Sequence, residues 1–211
     1  MAGPTEDSNK EMNRVIKWVI DNKDIGLHME PKSEKDENGN IIWEITGICD
    51  STWGSNKEDG KSVTGYIVYL QGAPIAWKSK QQGHVSLSSS EAEYIAISEV
   101  VKEILFIKQI LKDMHVEVKL PISVFCDNVG AIQMVRNNAS SIGTRHVNVR
   151  YHFVRELHGE IIMLYYRKSE ENESDMLTKN PTRAEFQKHS PKLVSKVPSH
   201  LILKRKKGEE C

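Results

Sequence analysis

Four carboxylates stand where the chain changes its local structure. Asp50 ends the apolar run "IIWEITGICD", Glu93 follows the hydroxyls of "SLSSSEAEYIAI", Asp127 ends the strand-like run in "PISVFCDN", and Asp175 lies in "ESDMLTKNP". Brought together without partner arginines, four such groups repel one another and raise one another's pKa unless cations neutralise them. Hard divalent ions answer that need, because Mg²⁺ favours a few carboxylates completed by water and substrate phosphate. Two such ions activate water and stabilise a leaving oxygen, which is the chemistry of phosphodiester hydrolysis.

Glu91 and Glu93 are one residue apart, and helical geometry separates them. Residues from Ser90 to about Lys112 form the best helical pattern in the chain, and both Ser88 with Glu91 and Ser90 with Glu93 fit a Ser-x-x-Glu capping box. At about 100° per residue, Ile97, Val100, Ile104, Ile107 and Leu111 fall within about 40° of Glu93. Glu91 falls about 160° away, beside Ser98, Lys102 and Gln109. Glu93 is therefore expected on the buried stripe and Glu91 on the wet face. Burying an ionised carboxylate costs several kcal/mol unless it is paired or binds a cation, so a partner is expected opposite Glu93. The plainer alternative is a half-exposed capping glutamate.

The remaining elements must carry these groups. "MNRVIKWVI" has apolar residues at 12, 15, 16, 19 and 20, the spacing of one helical face. A loop with an Asn-Gly signal follows at 32–40, and "IIWEITGICD" reads as a strand ending at Asp50. "TGYIVYL" and "PIAWKS", joined by "QGA", read as a hairpin. "PISVFCDN" gives a strand, "VGAIQMVRNN" a short helix, "GEIIMLYY" a strand, and "ESDMLTKNP" a helical turn stopped by Pro181. In "RHVNVRYHFV" the alternation at 147, 149, 151 and 153 favours a strand, although Arg145, His146, Arg150 and His152 could also ring a helix. Cys49-Asp50 and Cys126-Asp127 repeat one arrangement. If both aspartates meet at one site, alternation sends both cysteines to the sheet face away from it, as buried neighbours.

The chain has 211 residues, of which 38% are hydrophobic and 27% charged, as befits one globular domain with extensions or two small ones. Its start lacks the apolar core of a signal peptide, and no run approaches the length of a membrane span, so an intracellular protein is expected. Three cysteines make no disulfide framework. The net charge is zero, yet Arg145, Arg150, Arg155, Arg167 and Lys168, then Lys204 to Lys207, make the second half locally basic. A neutral total is compatible with a basic groove. His146 and His152 are expected on a phosphate-facing or solvated surface, and Trp53 and Trp77 in core or rim packing.

In order, "GICDSTWG", "KSVTGYIVYLQGAPIAWKSKQQ", "SLSSSEAEYIAISE", "CDNVGAI", "RHVNVRYHFVRE" and "DMLTKNP" resemble the successive motifs of the ribonuclease H domain of copia-type LTR retrotransposon Gag-Pol polyproteins. The resemblance runs from about residue 12 to residue 188. It implies a ribonuclease H-like α/β fold with a five-stranded mixed sheet flanked by helices. It implies an RNA-DNA hybrid as substrate, cut on its RNA strand, with two Mg²⁺ ions, or Mn²⁺ in their place, held by Asp50, Glu93, Asp127 and Asp175. Asp50 would bridge the two ions. Ser89, Ser90 and Asn128 would meet the minor groove of the hybrid, where only RNA offers 2′-hydroxyls.

The same resemblance makes residues 1–40 an N-terminal helix and linker that includes "DIGLHMEP", the end of a reverse transcriptase or connection region. Residues 41–181 become the ribonuclease H-like domain and 182–211 a basic, flexible tail. The reverse transcriptase portion of the polyprotein is the implied protein partner, and a cytoplasmic virus-like particle the implied location. The tail "KRKK" leaves nucleic-acid contact or nuclear entry as further roles. Two departures stand out. The first motif is commonly Asp-Ala-Asp-Trp and here is Asp50-Ser51-Thr52-Trp53, and "RKSEENESD" lacks the histidine that cellular enzymes carry before the last aspartate. The opposing reading is a non-catalytic module of this fold or a decayed remnant. Retention of four carboxylates weighs against it, since a structural domain gains nothing from clustered charge.

Overall fold

The computed structural model describes residues 5–27, 29–32, 34–136 and 152–197. The chain begins with α1 (Glu6–Asp21), β1 (Ile25–Leu27), β2 (Glu34–Lys35) and β3 (Ile41–Ile42). It continues with β4 (Ile45–Thr52), β5 (Val63–Leu70), β6 (Ala73–Gln81) and α2 (Ser89–Asp113). Then come β7 (Ile122–Cys126), α3 (Val129–Arg136), α4 (152–157) and β8 (Ile162–Tyr166). A 3₁₀ turn at Glu173–Leu177, α5 (Arg183–His189) and β9 (Val194–Lys196) follow. Two compact units result, one of residues 1–28 with 191–211 and one of residues 29–190. Among the described residues no helix is long and apolar enough to cross a membrane.

In the smaller unit β1 pairs antiparallel with β9, so residues 194–196 belong to a strand where a flexible tail was expected. The rest of that tail, with Lys204 to Lys207, lies outside the described residues. Helix α1 forms where the apolar spacing predicts, but none of its residues is buried.

The larger unit is built on a five-stranded mixed sheet in the order β6-β5-β4-β7-β8, the sheet of a ribonuclease H-like fold. Strands β4, β5 and β6 form an antiparallel meander, turned at Gln71 and Gly72, which both have positive φ. Strand β7 then lies parallel to β4, and β8 parallel to β7. A parallel neighbour needs a crossover, and α2 provides it.

Helix α2 covers one face. Its Ile97, Val100, Val101 and Ile104 are wholly buried against Cys49, Tyr66, Val68, Val124 and Cys126. Each such side chain contributes about 1.5–3 kcal/mol, enough together to carry one costly polar residue on the same stripe. The stripe is wider than the wheel predicts. Ser98, expected on the wet face, is fully buried and donates its hydroxyl to the Ile95 carbonyl at 2.8 Å. Helix α2 also packs against α3, so its covered surface extends beyond the stripe that faces the sheet. A further correction concerns "RHVNVRYHFV": residues 152–154 are helical and no strand, while 145–151 lie outside the described residues.

The opposite face of β4 and β5 is covered by a polar strap from Arg167 to Thr178. Asn172 donates to the Cys49 carbonyl at 3.0 Å, and Arg167 lies 3.0 Å from the buried Glu173 carboxylate and 4.4 Å from the centre of the Phe125 ring. The strap comes close only because residue 65 is glycine. A Cβ there would meet Thr178 Cγ2 at 2.7 Å, Leu177 Cβ at 2.9 Å and the Ser174 carbonyl at 2.9 Å. Gly65→Ala should therefore lower stability by about 1–3 kcal/mol, as overpacking does. Urea unfolding measures this, and an unchanged midpoint would show that the strap does not depend on the close approach.

Candidate active site

The pairing of β4 with β7 sets the site. Thr46, Gly47 and Ile48 stand beside Ser123, Val124 and Phe125. Continuing that register places Cys126 beside Cys49 and Asp127 beside Asp50. Oxygens of Asp50, Asp127 and Asp175 come within 4.8 Å of one another. Glu93 reaches in from α2, and one of its oxygens, Cys126 Sγ and an Asp127 oxygen form a second group within the same distance. Asp127 is the residue common to both groups.

Each carboxylate is held by a donor that sequence reading did not identify. Thr178 donates its hydroxyl to Asp50 Oδ2 at 2.5 Å. Ser51 donates its backbone N–H and hydroxyl to Glu93 Oε1 at 2.8 and 2.7 Å. Ser169 donates to Asp127 Oδ2 at 2.5 Å, and Lys179 Nζ lies 2.6 Å from Asp175 Oδ2. Asp175 Oδ1 is buried without a hydrogen-bond partner. Serine and threonine are too common to be read as ligand supports from sequence, although Ser51 lies next to Asp50 in the motif that lacks its second carboxylate.

Asp50 and Glu93 are both 4% exposed, and their chemistry follows from that. Burial, aided by Asp175 and Asp127 and opposed by the Thr178 hydroxyl, pushes Asp50 up to about 7. Burial, then Cys126 and Asp50, pushes Glu93 up to about 10 against the opposing bond from Ser51. Lys179 is pushed down by its partial burial, but Asp175 and Asp50 outweigh this and raise it overall. The set of oxygens fits a hard divalent cation: three or four carboxylates converge, one buried oxygen has no partner, and the charged form of the two buried acids is disfavoured.

The expected separation of cysteines and site is corrected. Cys49 and Cys126 are buried neighbours on the α2 face, opposite Asp50. Glu93 enters from that same face, however, so Cys126 Sγ donates to Glu93 Oε2 at 3.6 Å. Cys126, burial and the nearby Glu93 and Asp50 hold the Cys49 thiol well above its usual pKa, so it stays protonated.

At the rim, Ser90 donates to Asn128 Oδ1 at 3.2 Å, and Asn128 Oδ1 also caps α3 by accepting from the Ala131 N–H at 2.9 Å. The two helix starts meet because residue 130 is glycine, where a Cβ would lie 2.6 Å from Ser90 Oγ. Ser89 is exposed beside them, while Glu91 accepts from the Leu87 N–H at 2.8 Å, away from the cluster. Trp53 and Trp77 are each 53% exposed, which makes them rim and not core. Of the expected basic groove, Arg155 is bound to the Met134 carbonyl and Arg167 to Glu173. Arg145, His146 and Arg150 lie outside the described residues, and His152 is exposed at the start of α4.

The raised acids fix a pH dependence. A carboxyl whose folded pKa lies above its unfolded value stabilises the fold at low pH and loses that contribution as pH rises through the folded value. In chelator, the melting temperature should fall as pH rises from about 5 to about 8, through Asp50 up to about pH 7 and through Glu93 across the whole range. Millimolar Mn²⁺ should reverse the fall, and Asp50→Asn should lessen it below about pH 7 while Glu93 keeps the rest. Calorimetry across that range checks the sign, and a rising melting temperature would mean that Asp50 and Glu93 are ionised in the folded chain.

No family model matches the chain. Among known proteins it is 31% identical over 200 residues, 94% of its length, to the retrovirus-related Pol polyprotein from transposon RE2 of Arabidopsis thaliana. It is 36% identical over 144 residues, 68% of its length, to the Pol polyprotein from transposon TNT 1-94 of Nicotiana tabacum. It spans 13% and 11% of those polyproteins. Similar solved structures include LC11-RNase H1, isolated from compost and crystallised with an RNA/DNA hybrid, with a TM-score of 0.49 and 14% identity over 64% of this chain and 94% of that one. Another is the N-terminal RNase H domain of a Mycobacterium tuberculosis protein, with a TM-score of 0.47 and 13% identity over 69% of this chain and 99% of that one. On the sequence matches, the chain belongs to the copia-type retrotransposon Pol polyproteins, as the counterpart of a short stretch of their length.

Proposed function

We propose that this chain is the ribonuclease H part of a retrotransposon polyprotein and hydrolyses the RNA strand of an RNA-DNA hybrid by a metal-dependent, endonucleolytic reaction. The observation that carries the reading is the convergence of Asp50, Asp127 and Asp175 within 4.8 Å, with Glu93 alongside. Asp50, Glu93, Asp127 and Asp175 would hold Mg²⁺ or Mn²⁺. Such ions, when bound, supply an activated water and neutralise charge on the phosphate and the departing 3′-oxygen.

The chain's own residues do the rest. Ser51, Thr178 and Ser169 fix the orientation of three carboxylates with hydroxyl donors, leaving the negative charge of the cluster intact. The strap excludes water from one side of Asp50, which is what strengthens the field felt by a reacting phosphate. Ser89, Ser90 and Asn128, at the joined starts of α2 and α3, would meet the minor groove of the hybrid and test for the 2′-hydroxyls of RNA. The exposed apolar face of α1, with Met12, Val15, Ile16, Val19 and Ile20, suits contact with the reverse transcriptase portion of the same polyprotein.

A gel assay on labelled hybrid, with and without Mg²⁺, tests this reading. Asp127→Asn keeps the shape and removes a charge common to both ligand groups, so cleavage should fall at least about a hundredfold, the scale of losing a catalytic electrostatic contact. Glu91→Gln keeps the acceptor for Leu87 and should cut at close to the wild-type rate. Equal damage from both substitutions, or cleavage that ignores Mg²⁺, would remove the basis of the assignment.

A further inference from the structure

Three of the four carboxylates are held by neutral hydroxyls, and the fourth by a cation. Among the described residues, the pair between Lys179 Nζ and Asp175 Oδ2 is the one salt bridge made by the cluster. The same short segment supplies Asp175, the Thr178 hydroxyl on Asp50, and Lys179 itself, four residues after the carboxylate it meets.

The geometry at Asp175 is two-sided. Its Oδ1 is closed to solvent and has no hydrogen-bond partner, whereas Oδ2 meets an ammonium whose side chain is 47% exposed. Lys179 lines an open cavity of about 230 Å³ together with Ser169, Asp175, Glu185 and Lys188. The ammonium thus has water to return to, and an ion pair that is half exposed on one side is weak and easily broken. A divalent cation among Asp50, Asp127 and Asp175 would carry twice the charge to the same carboxylate and repel the ammonium over a few ångströms.

We propose that Lys179 is a displaceable internal counter-ion: it neutralises Asp175 while the cluster holds no metal, competes with a divalent cation for that carboxylate, and gives way when the cation binds. The inference rests on the metal-dependent reading above. Lys179 is a positioning residue, since it acts through Asp175. Its presence lowers metal affinity in return for a fold that forms without metal.

Calorimetric titration of the full chain with Mn²⁺ alone, without nucleic acid, tests this in wild type, Lys179→Met, Lys179→Arg and Lys188→Met. The Met variant should bind Mn²⁺ on the order of tenfold more tightly. It should melt below wild type in chelator, and the gap should close in saturating Mn²⁺. Lys179→Arg should restore both properties. Lys188→Met removes the same charge from the same cavity, but Lys188 bonds the Glu170 carbonyl, so its Mn²⁺ affinity should stay within about twofold of wild type. Unchanged or weaker Mn²⁺ binding by a folded Met variant overturns the proposal, as does equal tightening by Lys188→Met. If the Met variant stays unfolded even in Mn²⁺, Lys179→Gln makes the same comparison. Wild-type protein that binds no Mn²⁺ would overturn the metal-dependent reading together with the proposal. Wild-type binding with no change in the variant overturns the proposal alone.

Discussion

Mutual repulsion among four carboxylates is the constraint that the larger unit is arranged around. Like charges a few ångströms apart in a partly dry site oppose folding, and the chain answers with three devices. Hydroxyls of Ser51, Thr178 and Ser169 orient the acids. One half-exposed lysine offsets part of the charge. Burial of Asp50 and Glu93 favours their protonated forms when no cation is present. None of the three removes a carboxylate from the cluster, which remains able to accept a cation.

The devices come from different layers. Ser51 lies next to Asp50 near the end of the central strand β4 and bonds Glu93 of α2, so β4 and α2 are joined at the site as well as through the apolar core. The strap joins from the other face, where Gly65 admits it and Asn172 binds the β4 backbone. A polar covering is usually a weak one, because each buried group must find a partner. Here Asn172, Glu173 and Ser174 are all buried and all bonded, which gives the strap the definition that an apolar layer would gain by packing.

Much of this was legible in the sequence where a single periodicity governs the outcome. The 100° step of α2 separates Glu93 from Glu91, and alternation in β4 and β7 puts Cys49 beside Cys126. The same rules failed where a second neighbour intervenes. Ser98 is buried although it lies off the stripe that faces the sheet, and α2 meets α3 as well as the sheet, which a wheel centred on the sheet contact does not reveal. Alternation assigns each cysteine a sheet face but does not say from which face Glu93 arrives, and so Cys126 meets the site it was expected to avoid. The supporting hydroxyls were invisible for another reason: Thr178 and Asp50 are 128 residues apart, and nothing local marks a threonine as a carboxylate donor.

That separation along the chain bears on how the centre comes into being. Strand β8 completes the sheet at Tyr166, yet Ser169, Asp175, Thr178 and Lys179 all follow it. A ribosome-bound or proteolytically shortened product ending near residue 166 would possess every strand of the sheet, its covering helix and two strand-end aspartates, but no fourth carboxylate, no donor for Asp50 and no lysine. Asp50 would then face solvent where the strap should lie, and its environment would be that of an ordinary surface acid. Assembly of the charged centre is thus deferred until after the sheet, when the polypeptide that must contain its repulsion has been made.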